Sequence, residues 1–508
     1  MSTQDPISRR WLLGALLAGA ATPIALPAEA DAPRRSLRPH LRPGHPRAAA
    51  AGHAGVPSPD ELIARADLGG EVGFVLADGR TGKVLDSHLP DAAMPIASMT
   101  KVFTTLYALD HLGPDHRFTT RIVATGPVQN GVVQGDLVLV GGGDPTLDTD
   151  DLADMAAALA AKGVRAVTGR FLYDASAVPH FDAMDPSQPL QAGYNPGLSG
   201  LNLNFNRVHF EWTRTGKGYR VLMDARGARI QPAAPNISMK VVDRGSPLYT
   251  HSAADGRESW TVASRLLSRH GNRWLPVRDP AAYTASVFRE IAAAYSVRLP
   301  DPAAARAPAD ASTLVSHESD KLSAVLRVML YYSTNLTAEL VGLAATIKMD
   351  GTPPATLADS AARMGAWIKK RYGVSAHFGD HSGLAHGTRV TAADLVSILF
   401  QAAPGGMLRS LLKNIYLLDD RGRLLKHTPL SVQAKTGTLN YVSGLTGYLS
   451  GPDGQELIFA ILTSNMARRA KVLDSSRERP PGVPNWTRHA RQLQQNLIES
   501  WAAMYPHN

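Results

Sequence analysis

Not one of the 508 residues is cysteine. That absence constrains the fold more than any other feature of the chain. No disulfide staples a loop, and no thiolate holds a structural zinc or an iron–sulfur cluster. A chain this long must therefore stand on packed apolar cores, and 44% hydrophobic against 19% charged residues supplies them. Its length suggests two to four domains. The missing thiols also exclude a cysteine nucleophile, so any covalent chemistry falls to other side chains.

The N-terminus reads as an address. Ser8-Arg9-Arg10-Trp11 precedes an apolar run to Leu26, and Ala28-Glu29-Ala30 offers a small-residue cleavage site. The run is short for a membrane span, and the arginine pair in this setting resembles a twin-arginine signal over residues 1–30. Residues 31–57 are rich in Pro, Ala and Arg and read as a disordered linker. Five arginines against Asp31 put +4 of the chain's formal +9 into that segment, so the body is only mildly basic. No aromatic–basic module accompanies the charge, which argues against nucleic acid as a partner. The expected location is the periplasm.

Beyond the linker the texture is mixed. Residues 73–77 and 83–87 read as a hairpin around Asp78-Gly79-Arg80-Thr81-Gly82. A helix begins after Pro95, carries Met99, Val102, Phe103, Leu106 and Leu109, and stops at Gly113-Pro114. Helix is expected again at about 150–162, with Asp148 as its cap, and residues 164–290 read as short strands between turns. Pro300 to Pro308 reads as a connector. Helical periodicity returns at 321–331, 336–347, 356–372 and 391–402, and strands are expected at 432–435, 443–449 and 456–463. Leu493, Leu497, Trp501 and Met504 form one stripe of a C-terminal helix that would pack on a sheet.

Three short motifs carry chemistry. Ser98-Met99-Thr100-Lys101 sets a hydroxyl and an amine one helical turn apart. A serine needs a neighbour to take its proton, and a lysine can do so only if burial or nearby cations favour its neutral form. Ser333-Thr334-Asn335 falls in the break between two apolar helices, where a helix cap is the plain alternative. Lys435-Thr436-Gly437-Thr438 lies on an expected strand; the lysine adds positive charge, the threonines hydroxyls, and Gly437 room for a substrate backbone along the edge. Each motif alone is weak. In this order, on helix, loop and strand, they match the serine–lysine set of β-lactamases and penicillin-binding proteins.

The spacing of 235 residues from Ser98 to Ser333 and 102 from Ser333 to Lys435 resembles the class C low-molecular-mass penicillin-binding proteins, a D-alanyl-D-alanine carboxypeptidase/endopeptidase family. Gly142-Gly143-Asp144-Pro145-Thr146-Leu147, Leu203-Asn204-Phe205-Asn206 and Asp380-His381-Ser382-Gly383-Leu384 add to the likeness. The resemblance implies an α/β (α+β) fold: a penicillin-binding transpeptidase-like domain, with an antiparallel sheet flanked by helices, over 58–116 and 300–508, and inserted mainly β accessory domains over 117–299. It implies a serine-type carboxypeptidase acting on peptidoglycan stem peptides, with endopeptidase action left open, and β-lactams as acylating inhibitors. Ser98, Lys101 and Ser333 would be catalytic; Asn335, Lys435, Thr436, Gly437 and Thr438 would bind substrate; no metal or organic cofactor is called for. Two positions depart from the pattern: His381 replaces a usual glycine, which matters if that backbone is left-handed, and His386 stands where arginine is common.

Three rivals are weaker. A β-lactamase has no use for the long insert, a non-catalytic wall-binding protein has no use for three intact motifs, and His317-Glu318 lacks the spacing of a metallohydrolase.

Overall fold

The computed structural model describes residues 56–505, apart from 419–422, 426, 427, 474 and 476. The leader over 1–30 and the linker over 31–57, except Val56 and Pro57, lie outside the described residues. The chain forms two compact units. One comprises His111–Val325 and Glu339–Ala355; the other comprises 56–110, Leu326–Ala338 and Thr356 onward. The divisions thus fall at 110/111, 325/326, 338/339 and 355/356, where the sequence suggested 116/117 and 299/300. Strand pairing gives the reason for the second shift: Ser312–Glu318 adds antiparallel to Thr119–Ala124 and so belongs to the insert's sheet.

The unit with the three motifs is built on a six-stranded antiparallel sheet. Its order is Lys413–Ile415, Ser431–Leu439, Val442–Ser450, Glu456–Ser464, Glu71–Asp78, Val84–His88. The expected N-terminal hairpin closes onto C-terminal strands, with Phe74 opposite Ile461. The C-terminal helix Val483–Met504 covers one face: Leu493, Leu497 and Trp501 are buried with Phe74 and Phe459. The alternate residues Ile458, Ala460 and Leu462 are buried too, and Ala392–Ala402 packs on these strands, so the sheet is covered on both faces. An unforeseen helix, Pro59–Ala66, starts at a capping box in which Ser58 Oγ accepts from Glu61 N–H and Glu61 Oε2 from Ser58 N–H.

The other unit holds a five-stranded sheet in the order Pro302–Ala304, Phe171–Asp174, Leu137–Val140, Thr119–Ala124, Ser312–Glu318, and three three-stranded sheets. Two expectations fail here. The stretch 164–290 is not all short strands, because its end opens the helix Pro280–Ala294. Asp279 caps that helix, and Tyr283, Val287, Phe288 and Ile291 are buried along it. Pro300 to Pro308 is more than a connector, since Pro302, Ala303 and Ala304 pair in parallel with Phe171, Leu172 and Tyr173. The helix Thr149–Ala161 begins at Asp148, as expected, with Asp151 completing its capping box.

Asp144, beside the start of that helix, is almost fully buried, and burial pushes its carboxyl up to about 6. Its Oδ1 accepts from Thr146 N–H and Oγ–H, and His317 Nε2 lies 4.0 Å from Oδ2. The folded state therefore binds this proton more tightly than the unfolded state, whose carboxyl titrates near 3.8. Stability from this group is present at low pH and lost as pH rises from about 4 to 6. Asp144→Asn, which mimics the protonated form, is expected to exceed wild type in stability by up to about 3 kcal/mol at pH 7.5. Urea denaturation across pH should show the gap opening between pH 4 and 6 and then holding constant.

Candidate active site

The Ser98 turn is held by close backbone approaches. Ala97 adopts a left-handed φ of 48°, a single turn of 3-10 helix spans Ala97–Met99, and Thr100–Leu112 continues as α-helix. Thr100 Oγ–H returns to the Ala97 carbonyl at 2.9 Å. Two glycines make room for this turn. A Cβ on Gly383, whose φ is 79°, would lie 1.9 Å from the Ala97 carbonyl oxygen. One on Gly437 would lie 2.3 Å from that of Ile96. Gly437 thus clears space for the protein's own serine turn.

Lys101 is fully buried one turn after Ser98. Its ammonium donates to Ser98 Oγ at 3.0 Å, to Asn335 Oδ1 at 2.8 Å and to the Ser382 carbonyl at 2.7 Å. None of these three acceptors is a carboxylate. The amine is therefore fixed in direction, toward a half-buried serine hydroxyl. Asn335 spends its side-chain oxygen on the lysine, so the helix-cap alternative does not describe that oxygen's use.

Lys435 makes the second pair. It is buried on Ser431–Leu439 and donates to Ser333 Oγ at 2.9 Å and to the Thr436 carbonyl at 2.8 Å. Burial, with the charges of Lys101 and Lys413, holds its ammonium well below the usual lysine range. Ser333 stands between Leu322–Tyr332 and Asn335–Asp350 with a left-handed φ of 61°, a strained geometry for a non-glycine residue. The same strand carries Thr436, which is exposed, and Thr438, which is half-buried.

The Asp380 loop supplies what the motifs alone do not reveal. Asp380 is buried and accepts from the N–H groups of Gly383, Leu384 and Ala385 at 2.6, 2.9 and 2.7 Å and from Ser382 Oγ–H at 2.9 Å. These bonds curl the loop so that the Ser382 carbonyl meets Lys101. An Asp followed by Ser-Gly is the local signal for such a turn, but it does not reveal which lysine the carbonyl will meet. Burial pushes the Asp380 carboxyl upward, against the pull of those donors and of Lys101.

His381 proves compatible with the fold. The left-handed residue is Gly383, and His381 is absent from the left-handed set. Its ring is buried, stacks on Tyr107 with centroids 6.1 Å apart, and places Nε2 2.7 Å from Ser360 Oγ. Burial lowers its pKa to about 3, which keeps the ring neutral. His386 is half-buried.

The D-Ala-D-Ala carboxypeptidase 3 (S13) family matches residues 58–479. A D-alanyl-D-alanine carboxypeptidase of Actinomadura sp. (strain R39) is 29% identical over 450 residues, covering 80% of each chain. A D-alanyl-D-alanine carboxypeptidase of Haemophilus influenzae is 23% identical over 422 residues, 78% of this chain and 86% of its own. Among solved structures, penicillin-binding protein 4 of Haemophilus influenzae superposes with a TM-score of 0.70 at 19% identity, covering 88% of this chain and all of the other. A β-lactam complex of that protein superposes with a TM-score of 0.66 at 19% identity, over 87% of this chain and 100% of the other. The likeness of these structures bears out the mixed fold, with its antiparallel sheet, helices and accessory parts.

Proposed function

The chain belongs to the D-Ala-D-Ala carboxypeptidase 3 (S13) family, and from that premise we propose that Ser98 is the nucleophile of a serine carboxypeptidase that trims peptidoglycan stem peptides. The observation that carries the assignment is the 3.0 Å bond from buried Lys101 to Ser98 Oγ. In its amine form Lys101 takes the Ser98 proton as Oγ attacks the carbonyl between two D-alanines. Asn335 and the Ser382 carbonyl hold the resulting ammonium in place. The N–H groups of Ser98 and Thr438 would receive the oxyanion, each donor lowering the barrier by about 3 kcal/mol.

The C–N bond then breaks, and the leaving amine needs a proton. Ser333 Oγ–H supplies it and is replenished by Lys435, its hydrogen-bond partner. The support for this route is the 2.9 Å bond that Ser333 Oγ accepts from Lys435. Lys435, Thr436 and Thr438 receive the substrate's terminal carboxylate. Before deacylation the Lys101 ammonium gives its proton up to the solvent and Lys435 regains one from it, so both lysines return to their starting forms. As an amine again, Lys101 takes a proton from the water that attacks the acyl carbon and hands it to Ser98 Oγ as the ester C–O bond breaks, which frees the serine. A β-lactam acylates Ser98 by ring opening, so no amine departs and the adduct lingers.

We also place the protein in the periplasm, where stem peptides are found, exported by the twin-arginine route. The support is Arg9-Arg10, the apolar run and the chain's lack of cysteine. Digestion of purified uncrosslinked and crosslinked muropeptides, read by mass, tests the activity. Loss of one terminal D-Ala from pentapeptide is the expected result, and cleavage of crosslinked dimers would add endopeptidase action. Intact substrates in both digests would refute the reading.

A further inference from the structure

The edge of the sheet beside the third motif carries a lysine that no motif includes. Lys413 opens the edge strand Lys413–Ile415, which covers Ser431–Leu439 only opposite Ala434, Gln433 and Val432. Among the described residues no strand pairs with that side beyond Ala434. The uncovered part is Lys435 to Leu439, the stretch that holds Thr436 and Thr438. Lys413 therefore stands where the edge opens.

Its ammonium is braced. Nζ lies 4.5 Å from the centroid of the Tyr331 ring, and Tyr331 precedes Ser333 by two residues. Tyr331 is 45% exposed, and its ring stacks edge-on against Tyr332 at 4.7 Å. A cation over an aromatic face is attracted to it and held in direction, yet keeps its charge for an incoming anion. The acceptors that Lys101 and Lys435 meet at Ser98, Asn335, Ser382, Ser333 and Thr436 are hydroxyl, amide and carbonyl oxygens. Lys413 is also close enough to Lys435 for its charge to disfavour the second ammonium. Three lysines cluster here, and an anion would relieve their repulsion.

We propose that Lys413 is a specificity-determining residue: its Tyr331-braced ammonium supplies a second positive charge, beside Lys435, that selects peptides ending in a free carboxylate. The proposal rests on the carboxypeptidase reading and extends it to a residue outside the three motifs. It involves no bond making or breaking by Lys413.

The test compares a peptide ending in D-Ala-D-Ala with the same peptide ending in a D-Ala carboxamide. In wild type kcat/KM should favour the free acid. Lys413→Met keeps the stem that packs on Tyr331 and removes the charge. It is expected to lower kcat/KM on the acid about tenfold more than on the amide, the scale of one charge-assisted hydrogen bond. The loss should fall mainly on KM. Lys413→Arg should restore most of the preference. If Lys413→Met lowers both substrates in the same ratio, or neither, the assignment of Lys413 is overturned while the carboxypeptidase reading stands. If wild type cleaves neither peptide, the carboxypeptidase reading is contradicted, and the role of Lys413 falls with it.

Discussion

Lys101→Met is expected to slow acylation of Ser98 by about a thousandfold or more, the range for loss of a positioned general base. Methionine matches the lysine stem in length and removes the amine, so the helix Thr100–Leu112 should persist. What disappears is the group 3.0 Å from Ser98 Oγ. Asn335 Oδ1 and the Ser382 carbonyl also lose their donor, at a cost of about 1–3 kcal/mol each if left unpaired. Rapid-quench acylation by a penicillin, with folding checked by circular dichroism, separates the two effects. A folded variant that acylates at the wild-type rate would remove Lys101 from the proton path.

The second large effect is expected from Asp380→Asn. The substitution keeps the shape and turns one acceptor oxygen into a donor. Oδ2 of Asp380 accepts from Leu384 N–H, Ala385 N–H and Ser382 Oγ–H, and Oδ1 from Gly383 N–H. Whichever way the amide turns, at least one buried N–H meets an N–H, and the expected destabilisation is about 3 kcal/mol or more. The consequence for chemistry follows from geometry: a relaxed loop withdraws the Ser382 carbonyl from Lys101 and frees the Gly383 contact on the Ala97 turn. Acylation per folded molecule should fall by about a hundredfold, because it depends on a positioned base. Measuring acylation at a temperature where both proteins are folded distinguishes loss of position from loss of fold. Wild-type acylation in the folded variant would show that the loop serves stability alone.

Much of the site could be read along the chain because its chemistry is local. Ser98 and Lys101 share one helical turn, and their contact follows from a spacing of three. The stripe Leu493, Leu497, Trp501 announced the helix that covers the sheet, and Asp148 announced its own helix. What stayed hidden depends on distant partners. Nothing near Ser333 says that its hydroxyl will face Lys435, 102 residues on. Nothing near Gly437 says that a side chain there would meet the carbonyl of Ile96, which lies far back in the chain. The three-residue strand Lys413–Ile415 is too short to show a period, and Ser312–Glu318 acquires its place only by pairing with Thr119–Ala124. The helix Pro280–Ala294 did announce itself through Asp279-Pro280, but the strand-like texture before it masked the cap.

The central claim is that one serine carries the acyl group. Intact-mass spectrometry of the protein after incubation with benzylpenicillin tests it most directly. Wild type should gain the mass of one penicillin, and Ser98→Ala, folded to the same extent, should gain none. Labelling that survives in Ser98→Ala would contradict the account.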